Sequence, residues 1–378
     1  MRVLHLGKYY EPHRGGIERY LQDLAEWTAR EGHCTSALVH QSPGDWRSSH
    51  GPYNGVELWR AGCIAAPLYT PISPTYPLQL GHALKTIRPD LLHLHMPNPS
   101  CFAALFSPRA RALPWIVHWH ADVSADMPDW RVRMAYRLYQ PFERWLLKRA
   151  AAIVATSQAY SDASAALAPW KSKVRVVPLG IKDRNPVPGT APAWPPGSGL
   201  RILGVGRLSH YKGFARLLEA LVELPGCRLV LVGNGEQRDS LQAMAVRLDI
   251  AARVSFISDC EEAELQAAYA DADLFVLPSL DRSEAFGLVL LEAMRAGLAV
   301  VACDIPGSGV GQVVVDNETG ILVRPGIAAD LVQAIALLEN DPASRAAMGA
   351  AGRRRWEQRF TLQQSAQSIV QVYRDCSG

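Results

Sequence analysis

Two glutamates in one short stretch, S-E-A-F-G-L-V-L-L-E-A-M at residues 283–294, set the chemical question. Glu284 precedes an apolar run and Glu292 lies inside it. A carboxylate buried without partners costs several kcal/mol, so Glu292 needs a donor from the fold or from a ligand. The stretch follows D-L-F-V-L-P-S, a strand pattern, so a helix is expected to begin near Gly287 and stop at Gly297, a favourable C-terminal glycine. The amides of Phe286, Gly287 and Leu288 would then lie at the positive end of that helix, a seat for an anion. A sugar carried on a nucleoside diphosphate and laid across this terminus would meet Glu284 at the sugar. Its phosphates would meet the amides, and its ribose hydroxyls Glu292.

Other residues converge on the same chemistry. In G-V-G-R-L-S-H-Y-K-G, Arg207 and Lys212 follow a strand, where two cations can clamp a diphosphate or simply be solvated. The loop is no dinucleotide fingerprint, because Ser209 stands where the third glycine of G-x-G-x-x-G belongs, and the Walker pattern is absent too. Gly15 and Gly16 precede an amphipathic helix, which makes either an anion-binding loop or a tight turn. Ten of eleven histidines precede residue 121, and His40, His95 and His120 end strand patterns, the edge where open parallel sheets bind ligands. D-A-D at residues 271–273 invites a metal, but it sits at a helix exit and strand entry, the opposite edge, and reads as structural.

The elements that must position these residues alternate along the chain. R-V-L-H-L-G, S-A-L-V-H, D-L-L-H-L-H, W-I-V-H-W-H and A-A-I-V-A-T-S in the first half, and six similar runs in the second, alternate with helical patterns, the signature of parallel α/β sheets. Five prolines and three glycines in residues 181–199 mark a linker. The expected domains are 1–181, a linker at 182–199, 200–356, and a terminal helix at 357–378. At 378 residues the chain suits two domains. A net charge of +3 gives no field for nucleic acid. The seven cysteines form no C-x-x-C pair, which suits a reducing cytosol. No apolar run is long enough to span a bilayer, and the N-terminus does not read as a signal peptide.

Glu284 and Glu292 in E-x7-E spacing, G-R-L-S-H-Y-K-G and the early G-G-I-E together resemble the retaining glycosyltransferases of family 4, with the GT-B fold. L-L-H-L-H-M-P-N, V-V-P-L-G-I and N-E-T-G-I-L-V-R-P-G extend the resemblance over nearly the whole chain. It implies two Rossmann-like domains facing across a cleft, the acceptor mainly on the first and the nucleotide sugar mainly on the second, with the last helix crossing back to the first domain. It implies further that Arg207 and Lys212 hold the diphosphate, Glu284 the sugar and Glu292 the ribose, that Gly15 and Gly16 close onto the donor, and that His120 stands near the transferred sugar. The chain departs from the pattern at Gly311-Gln312, where many members carry a carboxylate, and at Lys182, in place of an acid.

The expected activity is metal-independent, retaining transfer of a hexose from GDP-mannose or a related GDP-hexose to a glycan or lipid-linked acceptor in cell-surface polysaccharide or glycolipid synthesis. A UDP-sugar transferase and a sugar-nucleotide epimerase of the same fold are the alternatives. No cofactor is expected. A dehydrogenase-like dinucleotide protein would require the missing third glycine. Basic residues interleave with aromatics and leucines in 129–149, which suits either weak docking to an anionic membrane or a helix packed on its own domain with solvated charges. The expected location is the cytoplasm, with the inner face of the cytoplasmic membrane as the surface met there.

Overall fold

The computed structural model describes residues 1–13, 15–123, 130–184, 194–258 and 260–377. The linker residues 185–193 thus lie outside the described residues, as does Asp129 at the start of the basic segment. The chain divides into two units, Met1–Gly180 with Leu362–Gly378, and Ile181–Thr361.

The first unit is built on β1 (Arg2–Leu6), β2 (Cys34–His40), β3 (Ser49–Tyr53), β4 (Val56–Ala61), β5 (Leu91–Met96), β6 (Trp115–Trp119), β7 (Ala152–Ala155) and β8 (Val174–Val176). They form one sheet in the order β3-β4-β2-β1-β5-β6-β7-β8, parallel except for the β3–β4 hairpin. That hairpin was absent from the strand runs read in the sequence. Its signal was present, since Asn54 and Gly55 both take positive φ in the two-residue turn, the asparagine-glycine pair that matches strand twist.

The second unit holds β9 (Arg201–Val205), β10 (Arg228–Val232), β11 (Val254–Ile257), β12 (Leu274–Leu277), β13 (Ala299–Cys303) and β14 (Gly320–Val323). All are parallel, in the order β11-β10-β9-β12-β13-β14. Both faces are covered, which is why these strands read as unbroken apolar runs. Ile202, Leu229, Leu231, Leu274 and Val276 pack with Phe214, Leu217 and Ile335 in one core.

Residues 357–361 do not belong to the terminal helix as expected. The Pro342–Arg359 helix of the second unit runs on, Thr361 bridges to Ile181, and the last helix starts at Leu362. That helix, Leu362–Ser377, buries Leu362, Ala366, Ile369, Val370 and Tyr373 in the first unit. Ser365 Oγ there accepts from Tyr20 Oη at 2.8 Å and donates to the Pro178 carbonyl at 2.7 Å.

Candidate functional site

In the second unit the strand ends are drawn together by glycines. Gly213 has φ +68°, and a Cβ there would stand 2.0 Å from the Pro278 carbonyl oxygen. Gly233 has φ +145°, and its Cβ would stand 2.0 Å from the Gly206 oxygen. No other residue lets the loops after β9, β10 and β12 approach this closely.

The close approach brings Lys212 onto Glu284. Lys212 Nζ donates to Glu284 Oε2 at 2.6 Å, and both side chains are only 8% exposed. Ser279 Oγ, just past β12, donates to the same oxygen at 2.8 Å. Burial works against the Lys212 charge, but the Glu284 carboxylate overrides it and holds the ammonium above the ordinary lysine value. The resemblance assigns Lys212 to the phosphates and Glu284 to the sugar, and neither it nor the spacing foretold that the two meet. They are one ion pair. Arg207, half-buried, reaches Glu236 Oε2 at 3.2 Å.

The helix after the pair runs Leu288–Arg295, with Gly287 at its N-cap in the left-handed region, φ +84°, and Gly297 beyond its end at φ +76°. Phe286 is buried edge-on against Phe360, and Leu288 is half-buried. Glu292 is 5% exposed, and Tyr269 Oη donates to its Oε2 at 2.9 Å. Of the two sources open to Glu292, the fold supplies one: a donor from the Glu262–Asp271 helix. The aspartates of D-A-D both pair with Arg201, Asp271 at 2.5 Å and Asp273 at 3.1 Å, at the amino ends of β9 and β12.

In the first unit Gly15 caps the Gly16–Arg30 helix with extended backbone, and no side chain caps that N-terminus. His120 does not stand alone. His5 on β1, His93 and His95 on β5, and His118 and His120 at the end of β6 share one sheet face, because His5 pairs in register with His93 and His95 with His118. All five are buried, His120 at 4% exposure. Their rings stack, His118 on His120 at 4.2 Å and 2°. Tyr20 meets His118 and His120 edge-on, and Tyr373 Oη lies 2.6 Å from His93 Nδ1. Burial keeps these imidazoles neutral: His5 and His120 are pushed down to about 3, and His93, His95 and His118 well below the ordinary histidine value.

This layer was missed because each histidine was weighed by its place at a strand end. The spacing H-x-H in both β5 and β6 places each pair on one face, and that was the available signal. The ring nitrogens of His5, His93 and His95, and of His95, His118 and His120, lie within 4.8 Å of one another. The second of these sets does not fit a metal as it stands. The rings of His95, His118 and His120 lie within 15° of parallel, and His95 Nδ1 lies 3.0 Å from His120 Nε2. In-plane lone pairs of stacked rings cannot converge on one ion.

The Trp130–Arg149 helix buries Glu143, Leu146 and Leu147 and exposes Met134, Leu138, Phe142 and Trp145. Arg133, Arg137, Arg144 and Lys148 are also exposed. Phe102, Phe106 and Phe142 line part of an apolar groove of 330 Å³ beside it. Burial also raises the Glu143 carboxyl to about 7, a group the sequence reading passed over. Among the described residues no helix is long and apolar enough to cross a membrane.

Comparison with known proteins adds the family. The profile described as "Glycosyl transferases group 1" matches residues 195–355, and that described as "Glycosyl transferase 4-like domain" matches 15–180. The D-rhamnosyltransferase WbpZ of Pseudomonas aeruginosa is 31% identical over 372 residues, 96% of this chain and 92% of that protein. The O-antigen chain mannosyltransferase C of Escherichia coli is 27% identical over 379 residues, 99% of this chain and 98% of the other. Among solved structures, that of Anabaena HepE in complex with UDP-glucose superposes with a TM-score of 0.76 at 22% identity, covering 99% of this chain and 100% of that one.

Proposed function

This chain belongs to the GT-B glycosyltransferases of family 4 type, and from that premise we propose that it transfers a hexose, with retention, from a nucleotide sugar to a hydroxyl of a glycan or lipid-linked acceptor in cell-surface polysaccharide or glycolipid synthesis. The observation that carries the reading is the buried Lys212–Glu284 pair beside the N-terminus of the Leu288–Arg295 helix. Burying two charges seldom stabilises a fold relative to apolar residues of similar size, so an ion pair at the ligand edge of a parallel sheet is explained best by the substrate it serves.

In this reading Lys212, Arg207 and the amides at Phe286, Gly287 and Leu288 receive the diphosphate, with Gly15 and Gly16 as further backbone donors. Glu284 accepts from a hydroxyl of the sugar, and Glu292 from the ribose while keeping Tyr269. As the bond from the anomeric carbon to the phosphate oxygen breaks, fixed cations and a helix terminus stabilise the departing charge without a metal. The acceptor oxygen bonds to the same face of the carbon, and its proton passes to the leaving phosphate. His120 meets a hydroxyl of the transferred sugar as a neutral ring.

GDP-mannose or a related GDP-hexose is the proposed donor. Two relatives named for D-rhamnose and mannose transfer support a mannose-type hexose, since D-rhamnose is 6-deoxy-D-mannose. The family favours transfer over the alternative of epimerisation. The apolar and basic face of Trp130–Arg149 supports weak docking to the inner, anionic face of the cytoplasmic membrane; the side chains of residues 130–132 lie outside the described residues. The deciding experiment is turnover of GDP-mannose and UDP-glucose in excess EDTA, with and without anionic vesicles. Transfer from the GDP-sugar despite EDTA is expected. Preference for the UDP-sugar overturns the donor, and activity restored only by Mn²⁺ overturns metal independence.

A further inference from the structure

His120 is the last of three imidazoles joined end to end. His5 Nδ1 lies 3.2 Å from His95 Nε2, and His95 Nδ1 lies 3.0 Å from His120 Nε2. The two outer nitrogens, His5 Nε2 and His120 Nδ1, are buried and find no hydrogen-bond partner among the described residues. A neutral imidazole carries one N–H and one lone pair. Three in series must therefore all donate in the same direction, and one ring cannot change tautomer unless all three do. The nitrogen that His120 presents at the strand end is set by rings behind it.

A second chain runs alongside. Tyr373 Oη, His93 and His118 are linked at 2.6 and 3.3 Å, ending on His118 Nε2, which also lacks a partner. If Tyr373 donates, only that terminal N–H is left over; the reverse direction would orphan both the phenol hydrogen and the His118 lone pair. His118 then lies flat on His120 at 4.2 Å and Tyr20 closes its edge, so the His120 ring is held in plane while its tautomer is tied to those of His95 and His5.

We propose that His95, and His5 behind it, are positioning residues that fix the His120 ring with Nε2 engaged and offer His120 Nδ1 to a hydroxyl of the transferred sugar. A hydroxyl both donates and accepts, so it satisfies that buried nitrogen whichever way the chain is polarised. This inference rests on the reading that His120 meets that sugar.

The test compares His120→Ala, His95→Leu, His95→Gln and the double variant His95→Leu/His120→Ala, using kcat, KM and the ¹⁵N resonances of the ring nitrogens. His95→Leu is expected to lower kcat about ten- to a hundredfold, the scale of a misplaced group, with little change in KM. His95→Gln, which can bond to both neighbours, should recover most of that loss. In the His120→Ala background, His95→Leu should have no further effect. The ¹⁵N spectrum should show one His120 tautomer in the wild type and a mixture in His95→Leu. If His95→Leu costs the same factor with and without His120, His95 serves the fold alone and the inference fails. If His120→Ala keeps full turnover, the reading of His120 itself is wrong, and that single variant shows it. Should His95→Leu not fold, a folded His95→Gln as impaired as His120→Ala, or mixed His120 tautomers in the wild type, overturns the proposal.

Discussion

Past the ends of β9 and β12 the second unit buries a lysine against a glutamate at 2.6 Å, while along β1, β5 and β6 the first unit buries five imidazoles and leaves all of them uncharged. Both layers are polar groups taken out of water in parallel α/β sheets. The first solution keeps charge at the place proposed for the departing diphosphate. The second excludes charge and offers directed hydrogen bonds instead. The difference shows that burial alone does not foretell protonation: burial leaves the histidines neutral, while a partner of opposite sign keeps Lys212 charged in spite of it.

Acid should separate the two regions most strongly. Below about pH 6.5 an unfolded histidine takes a proton, but His5 and His120 in the fold do not until about 3. Stability contributed by the layer is thus complete above about 6.5 and lost as pH falls, at roughly 1.4 kcal/mol per pH unit for each such histidine. The second unit has only His210, which is exposed. Hydrogen exchange at pH 7 and pH 5 should show protection falling in β1, β5 and β6 and not in β9, β10 and β12. Equal loss in both units would break the comparison.

The ion pair should answer differently. Lys212→Met leaves Glu284 buried without its cation, a loss of about 3–5 kcal/mol by denaturant unfolding. Lys212→Met/Glu284→Leu should recover most of that stability and none of the turnover. Recovery of both would make the pair a packing feature.

Much of the fold was legible in the sequence, and the two polar layers were missed for a physical cause. The strands of the second unit were plain because both faces are apolar, and the helix start at Gly287 and end at Gly297 follow from residue type. The partnership of Lys212 with Glu284 joins residues far apart in the chain. It depends on backbone approaches that only Gly213 and Gly233 permit, and spacing does not reveal that. Tyr269 reaches Glu292 from a neighbouring helix, equally invisible to local pattern. The histidine layer arises from register between strands, since H-x-H shows a shared face within a strand but not which strands lie side by side.

A smaller effect sharpens the account of Glu292. Because Tyr269 remains as a partner, Glu292→Gln should weaken binding of the bare nucleoside diphosphate by about 1.5 kcal/mol, the low end for a charged hydrogen bond. Calorimetry showing no change would leave Glu292 as a residue satisfied by the fold.

The most direct measurement is calorimetry of Glu284→Gln with bare GDP, beside its turnover with the full donor. Glutamine can still accept from Lys212, so the lysine stays in place for the phosphates while the sugar loses its carboxylate. GDP affinity should stay within about twofold, under 0.5 kcal/mol, as kcat falls by about a hundredfold, close to 2.7 kcal/mol. Parallel loss of GDP affinity and turnover, or no loss of either, would contradict a pair divided between phosphate and sugar.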